Sequence, residues 1–205
     1  MMRIVIRMNE KLIFSDVDEV VLRWLPRFTL NAQEKGYKVV DTSKYLIHEH
    51  FDVPEHLVDE MVNEFSSSDV FRELDAIDDS IVYARKICED FGYKFDLITA
   101  CGEYEKDHVA HINRLFNVST HIGAENIRDL FCVASSEAKR PVLERYRDKG
   151  YVWVDDSPKN VELGVELGYE SYLYTTPYNI NVETSGKRVH SWQEIYEIIK
   201  IKEAG

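Results

Sequence analysis

Cysteine is scarce: Cys88, Cys101 and Cys132 are the only three in 205 residues. Their number is odd and no paired spacing joins them, which leaves neither a zinc ribbon nor a disulfide framework to build a fold on. No apolar run is long enough to span a bilayer. The opening Met1-Met2-Arg3-Ile4-Val5-Ile6-Arg7 is broken by charge too early for a secretory signal. Internal repeats and low-complexity segments are also missing. Basic charge is in deficit, 25 Lys and Arg against 37 Asp and Glu, for a net charge of −12. That balance argues against long nucleic acid as a partner, but not against a small phosphorylated substrate, because one cation reverses the potential inside a single pocket. The expected setting is cytoplasmic, with reduced thiols. Cys101 falls just beyond a strand end, where a reactive thiol is an option, yet no His or basic residue stands directly beside it in the chain.

What is present reads as alternating strands and helices. Apolar strand-like runs occur at Lys11–Ser15, Lys94–Thr99, Asp129–Ala134, Tyr151–Val154 and Ser171–Tyr174. Amphipathic stretches at Asp79–Phe91, Glu105–Asn117, Arg140–Lys149, Pro158–Leu167 and Ser191–Lys202 separate or follow them. Ser157 with Pro158 reads as a helix start, and Gly92, Gly150 and Gly168 as helix stops. The pattern predicts an α/β fold, a Rossmann-like parallel sheet flanked by helices. Arg3–Met8 is a further candidate edge strand. Between the first strand and Asp79 the alternation breaks, and Val20–Lys35, Thr42–His50 and Pro54–Phe65 read as helices. A structureless loop of that length is improbable in a compact domain, so the segment reads as a small helical cap inserted after the first core strand. The predicted division is 1–22 and 76–205 for the core and 23–75 for the cap.

Chemistry concentrates at strand ends. Asp16 and Asp18 close the run Leu12-Ile13-Phe14-Ser15-Asp16-Val17-Asp18, where alternation sends both carboxylates to one face. Two like charges that close call for a cation, and hard oxygen donors suit magnesium. A second apolar strand, Tyr151-Val152-Trp153-Val154, ends in Asp155-Asp156-Ser157-Pro158. Thr99 ends a third, and Lys139 opens a later helical stretch. Singly, each has a plain structural explanation as a strand end, a solvated lysine or a helix cap. Together they would meet at the carboxyl edge of one sheet, where open α/β sheets place their sites. The histidines do not compete: His48, His50 and His56 lack a metal-binding spacing, and His108 with His111 lacks a third ligand.

In that order, on those elements, these residues resemble the haloacid dehalogenase superfamily of phosphohydrolases, and the likeness covers nearly the whole chain. The resemblance implies that Asp16 is a nucleophile forming an aspartyl-phosphate. Asp18 would protonate the leaving oxygen, deprotonate water, and offer its backbone carbonyl to Mg2+. Thr99 and the backbone amides of Ala100 and Cys101 would bind phosphoryl oxygens, with Lys139 neutralising them. Aligning Val154-Asp155-Asp156 with the last family motif makes Asp156 the direct metal ligand, and Asp155 and Asn160 its supporting partners. One departure stands out: the position after the second aspartate is commonly Gly in this superfamily and is Glu19 here.

Within the superfamily the chain is most similar to the 5'(3')-deoxyribonucleotidases, through its small helical cap, the run Val70-Phe71-Arg72-Glu73-Leu74-Asp75-Ala76, and Val154 to Asn160. That likeness implies a nucleoside monophosphate substrate. It also implies a base-enclosing role for Trp24, eight positions after the nucleophile, and a homodimer through apolar cap residues. A core position in the cap explains Trp24 equally well. The competing readings are a polynucleotide end phosphatase on the same fold and a non-hydrolytic, receiver-like phosphate-binding module. The choice of natural substrate and the preference for a 5' or 3' phosphate are not written in the sequence.

Overall fold

The computed structural model describes residues 10–44, 46–101 and 104–205. The candidate strand at Arg3–Met8 lies outside them. Six strands, β1 (Leu12–Ser15), β2 (Lys94–Ala100), β3 (Ile127–Val133), β4 (Val152–Asp155), β5 (Glu170–Tyr174) and β6 (Lys187–Val189), form one sheet in the order β3-β2-β1-β4-β5-β6. Every pairing is parallel. β1 and β4 are buried at every position, which explains their unbroken apolar sequences. The chain builds outward from β1 to β3, then returns to lay β4 on the other side of β1. That reversal opens a crevice at the carboxyl ends of β1 and β4, where Asp16 and Asp155 stand.

Helices α4 (Ser80–Phe91), α5 (Tyr104–Ile122), α6 (Arg140–Leu143), α7 (Pro158–Glu166) and α8 (Trp192–Ala204) accompany the sheet. α4 stops at Gly92, whose φ of 75° and bond to the Cys88 carbonyl make a left-handed cap closed to most side chains. α7 carries Pro158 in its first turn, as expected. Its Ser157 makes no side-chain cap bond, and the Asp155 carboxylate accepts the Ser157 N–H instead at 2.7 Å.

The inserted segment contains α1 (Trp24–Glu34), α2 (Glu55–Ser66) and the short α3 (Asp69–Arg72). Chain leaving the core at Val21–Arg23 runs beside chain returning at Asp75–Ile77. Arg23 N–H donates to Asp75 O, and Ile77 N–H to Val21 O, both at 2.8 Å. The exit is tied down further by Ser80 Oγ on Val21 O (2.9 Å) and Trp192 Nε1 on Val20 O (2.7 Å). Phe28, Phe51, Phe65 and Phe71 interlock edge to face and join the apolar side of the core in one continuous cluster.

Three sequence expectations need correction. Val20–Lys35 becomes helical only at Trp24, because Asp18–Leu22 is occupied by a turn with its own bridge. Thr42–His50 reaches helix only as a 3-10 turn at Ile47–His50. Asp41 accepts both the N–H (2.9 Å) and the hydroxyl (2.6 Å) of Ser43, a local turn that competes with helix. Arg140–Lys149 breaks after Leu143 into a 3-10 turn over Glu144–Tyr146. β6 and α3 are too short to announce themselves in the sequence.

Candidate active site

Lys139 is the hub of the crevice. Its ammonium, 1% exposed, lies 2.8 Å from Asp16 Oδ2 and 2.8 Å from Asp155 Oδ2. Burial pulls the lysine down, but the charges of Asp155 and Asp16 more than compensate and hold it above its ordinary value. The other Asp16 oxygen accepts the Val17 N–H at 2.7 Å, and the Asp16 N–H extends the sheet to Val154 O at 2.8 Å. The nucleophile candidate is therefore held by backbone on one side and by charge on the other.

Asp155 is fully engaged. Its Oδ1 takes the Ser157 N–H, and its Oδ2 takes Lys139 and, at 3.1 Å, Asn160 Nδ2. Asn160 also reaches Ser136 Oγ at 2.9 Å, which fixes the turn leading into Lys139. Asp156 keeps an oxygen available, while its Oδ2 accepts the Tyr178 hydroxyl. Carboxylate oxygens of Asp16, Asp155 and Asp156 all lie within 4.8 Å of one another. Burial pushes Asp155 and Asp156 above the usual carboxylate range, and mutual repulsion with Asp16 adds to it. Of the two neighbouring aspartates, Asp155 is the more heavily hydrogen-bonded. Three hard oxygen donors with one ammonium among them fit a divalent cation such as magnesium.

Asp18 faces a cation the sequence did not single out. Both of its oxygens lie within 2.6 to 2.7 Å of Arg114 Nη2, on a fully buried side chain from α5 whose guanidinium packs over the Phe71 ring. Burial raises Asp18 in spite of Arg114, which keeps a protonated carboxyl within reach. Thr99 Oγ1 approaches Asp18 Oδ2 at 3.4 Å, so the expected phosphate binder sits in the same cluster. Arg114 belongs to a polar stripe on α5. Asn113 donates to Ser68 O (3.2 Å) and Asn117 to Phe71 O (2.6 Å), and His121 bonds Leu74 O (2.8 Å). Polar residues spaced three and four apart with Ala110 and Val118 were the available signal for an inward-facing polar face. Tyr178, in the loop after β5, carried no such signal.

The Cys101 amide is a correction: it donates to Val133 O at 3.0 Å, because the β2–β3 ladder continues one residue past Ala100. Backbone alternation then directs the Ala100 amide toward β1 and the aspartates. Trp24 stacks on Phe28 with ring centroids 4.7 Å apart and meets Phe65 edge-on at 6.0 Å, so cap packing accounts for its position. Glu19 adopts φ 56°, the left-handed backbone that explains why Gly is common there. Its carboxylate repays part of that strain by accepting the Leu25 N–H at 2.7 Å in the first turn of α1.

Two spaces adjoin the cluster. A cleft of about 390 Å3 lies between α2 and the ends of β2 and β3, lined by Asp59, Val62, Asn63, Ser66, Ala100, Cys101 and Ala134. A second, of about 350 Å3, lies between α1 and the loop carrying Pro177 and Tyr178, with Glu19 in its wall. A larger hollow of about 760 Å3 runs along the β3 edge and touches none of the carboxylates.

A family model described as "5' nucleotidase, deoxy (Pyrimidine), cytosolic type C protein" matches residues 10–204. An uncharacterized 32.4 kDa protein of Enterobacteria phage T4 is 24% identical over 193 residues, covering 89% of this chain and 67% of its own. Among solved structures, a beta-phosphoglucomutase from Clostridium difficile superposes with TM-score 0.59 at 13% identity, over 95% of this chain and 97% of its own. The L-2-haloacid dehalogenase of Xanthobacter autotrophicus, solved with chloropropionic acid covalently bound, gives TM-score 0.57 at 7% identity, over 93% and 98%. These structures share the fold.

Two outcomes follow from the site's charge balance. Magnesium added to metal-free protein should raise Tm. Asp156→Asn should raise Tm without metal, by relieving the acidic cluster, and abolish the magnesium response; a mutant that keeps the full response would remove Asp156 from the metal site. Burial lifts Glu19 from 4.5 to about 7. A carboxyl raised in the folded state favours folding at low pH, and that contribution is lost as pH climbs through about 7. Denaturation of metal-free Glu19→Gln should therefore show a gain over wild type of about 1–3 kcal/mol at pH 8 that vanishes near pH 4.5. A pH-independent difference would refute the assignment.

Proposed function

The chain belongs to the family of cytosolic type C 5'-deoxynucleotidases, phosphatases of the haloacid dehalogenase type, and on that premise we propose that it hydrolyses nucleoside monophosphates, deoxyribonucleoside monophosphates foremost, through magnesium-dependent attack of Asp16 on phosphorus. The observation that carries this reading is the buried Lys139 ammonium shared at 2.8 Å between Asp16 and Asp155, beside a carboxylate trio.

Lys139 faces the Asp16 carboxylate at 2.8 Å and holds it in place for nucleophilic attack. The attack forms an aspartyl-phosphate and expels the nucleoside oxygen. Asp18, raised by burial and held in place by Arg114, delivers a proton to that oxygen and then takes one from the water that attacks the phosphoenzyme. Thr99 Oγ1, the Ala100 amide and Lys139 face the phosphoryl oxygens and offset the charge that builds on them. Asp16, Asp156 and the Asp18 backbone carbonyl would hold magnesium, which when bound neutralises phosphoryl oxygens and screens the carboxylates from one another. Asp155 and Asn160 keep Lys139 and the entrance to α7 in position.

Residues 23–75 act as the cap that encloses the leaving group. The cleft of about 390 Å3 beneath α2 offers the size and the polar groups, Asp59, Asn63 and Ser66, for a sugar and base. A long polynucleotide is disfavoured by the cap over the strand ends and by the net charge of −12. A receiver-like module is disfavoured by the cap itself. Among the described residues no helix is long and apolar enough to cross a membrane.

Purified protein should release phosphate from deoxyribonucleoside monophosphates with magnesium and not in chelator. Asp16→Asn should lower the rate more than about a thousandfold. Retained turnover in that variant would refute the covalent route, and a wild-type preference for sugar phosphates over every nucleotide would refute the substrate assignment.

A further inference from the structure

Cys101 is the sequence signal that phosphoryl transfer leaves unused. No basic residue flanks it in the chain, but the fold supplies one from α5. The Arg114 side chain is fully buried and its Nη2 is paired with Asp18; among the described residues, Nε and Nη1 are buried without a hydrogen-bond partner. Two groups raise the guanidinium's proton affinity, the Asp18 carboxylate and Cys101. A thiolate at Cys101 would supply the charge those two orphaned donors lack, and an orphaned buried donor is costly.

A second thiol completes the setting. Cys132 stands opposite Thr99 in the β2–β3 register, and Cys101 follows Thr99 by two residues, so both sulfurs project from the same face of adjacent strands. Hydrogen bonding from Cys132, with help from the charge of Arg114, pulls Cys101 below the ordinary thiol value, and the same partnership pushes Cys132 above it. Cys101 also lines the 390 Å3 cleft with Ala100 and Ala134, which gives small molecules a path to it. Cys88 is the internal contrast: it is buried in α4, and burial pushes its thiol up to about 11.

We propose that Cys101 is a covalent modification site at which a thiolate, held by Arg114 and the Cys132 thiol, reacts with small peroxides entering through the cleft between α2 and the ends of β2 and β3. The sulfur attacks one peroxide oxygen, an S–O bond forms and the O–O bond breaks. The departing hydroxide, or the alkoxide when the oxidant is an alkyl peroxide, takes a proton from solvent and leaves as water or alcohol. Sulfur is oxidised by two electrons to sulfenic acid while the peroxide is reduced by two. None of this depends on the phosphatase reading, and the test reads mass rather than turnover.

The full chain would be treated with hydrogen peroxide in the presence of dimedone. In parallel, iodoacetamide labelling of each cysteine would be timed by peptide mass spectrometry and normalised to the denatured chain. The dimedone adduct should fall on Cys101, and Cys101 should alkylate at least about tenfold faster than Cys88. Arg114→Met should slow Cys101 about tenfold, whereas Arg114→Lys should keep most of the rate. Circular dichroism would report whether Arg114→Met folds; if it does not, the wild-type ratio decides alone. Cys101 no faster than Cys88, an adduct on Cys88 or Cys132, or an unchanged Cys101 rate in folded Arg114→Met would each overturn the proposal.

Discussion

A single buried ammonium organises this molecule. Lys139 lies between Asp16 at the end of β1 and Asp155 at the end of β4, 2.8 Å from each, and so bridges the two strands that flank the reversal in sheet order. Breaking a buried pair of this kind leaves uncompensated charge and costs about 3–5 kcal/mol, a large share of a domain's net stability. The parts around it exist in relation to that contact. Asn160 and Ser136 set the turn that presents the lysine, and Asp155 opens α7. Asp156, left with less positive charge than its neighbours, is where the demand for a cation concentrates.

A second cation governs the other half of the site. Arg114 reaches from α5 to Asp18, on a helix whose polar stripe also binds the carbonyls of Ser68, Phe71 and Leu74 in the cap's return path. The position of the Asp18 carboxyl and the seating of the inserted segment are thus coupled through one helix face. Glu19 couples them again from the opposite direction, since it follows Asp18 directly and its carboxylate receives an N–H from the first turn of α1. In place of a residue that merely tolerates the left-handed turn, the chain has one that also anchors the cap.

The sequence disclosed what was local. Asp16, Asp18, Thr99, Lys139 and the Asp155–Asp156 pair each sit at the end of an element recognisable by its own apolar run, so their convergence could be read from strand order. Arg114 and Tyr178 were hidden because each acts across a long separation in sequence, and nothing beside them in the chain marks them. The Cys101 amide departs from expectation for a related reason: whether a strand end is free depends on where its pairing stops, and β2 pairs with β3 one residue beyond the predicted end at Thr99, so the next amide is taken by Val133 O. Segments with competing local bonds, such as Asp41–Ser43, departed most from helical expectation.

Asp16, poised by Lys139, should become covalently phosphorylated during turnover. Acid quenching during turnover of a deoxyribonucleoside monophosphate, followed by borohydride reduction and peptide mass spectrometry, tests it directly, because reduction of an aspartyl-phosphate leaves homoserine. Homoserine is expected at position 16, dependent on both magnesium and substrate. Phosphate release with position 16 unmodified, or with the reduced residue elsewhere, would contradict it.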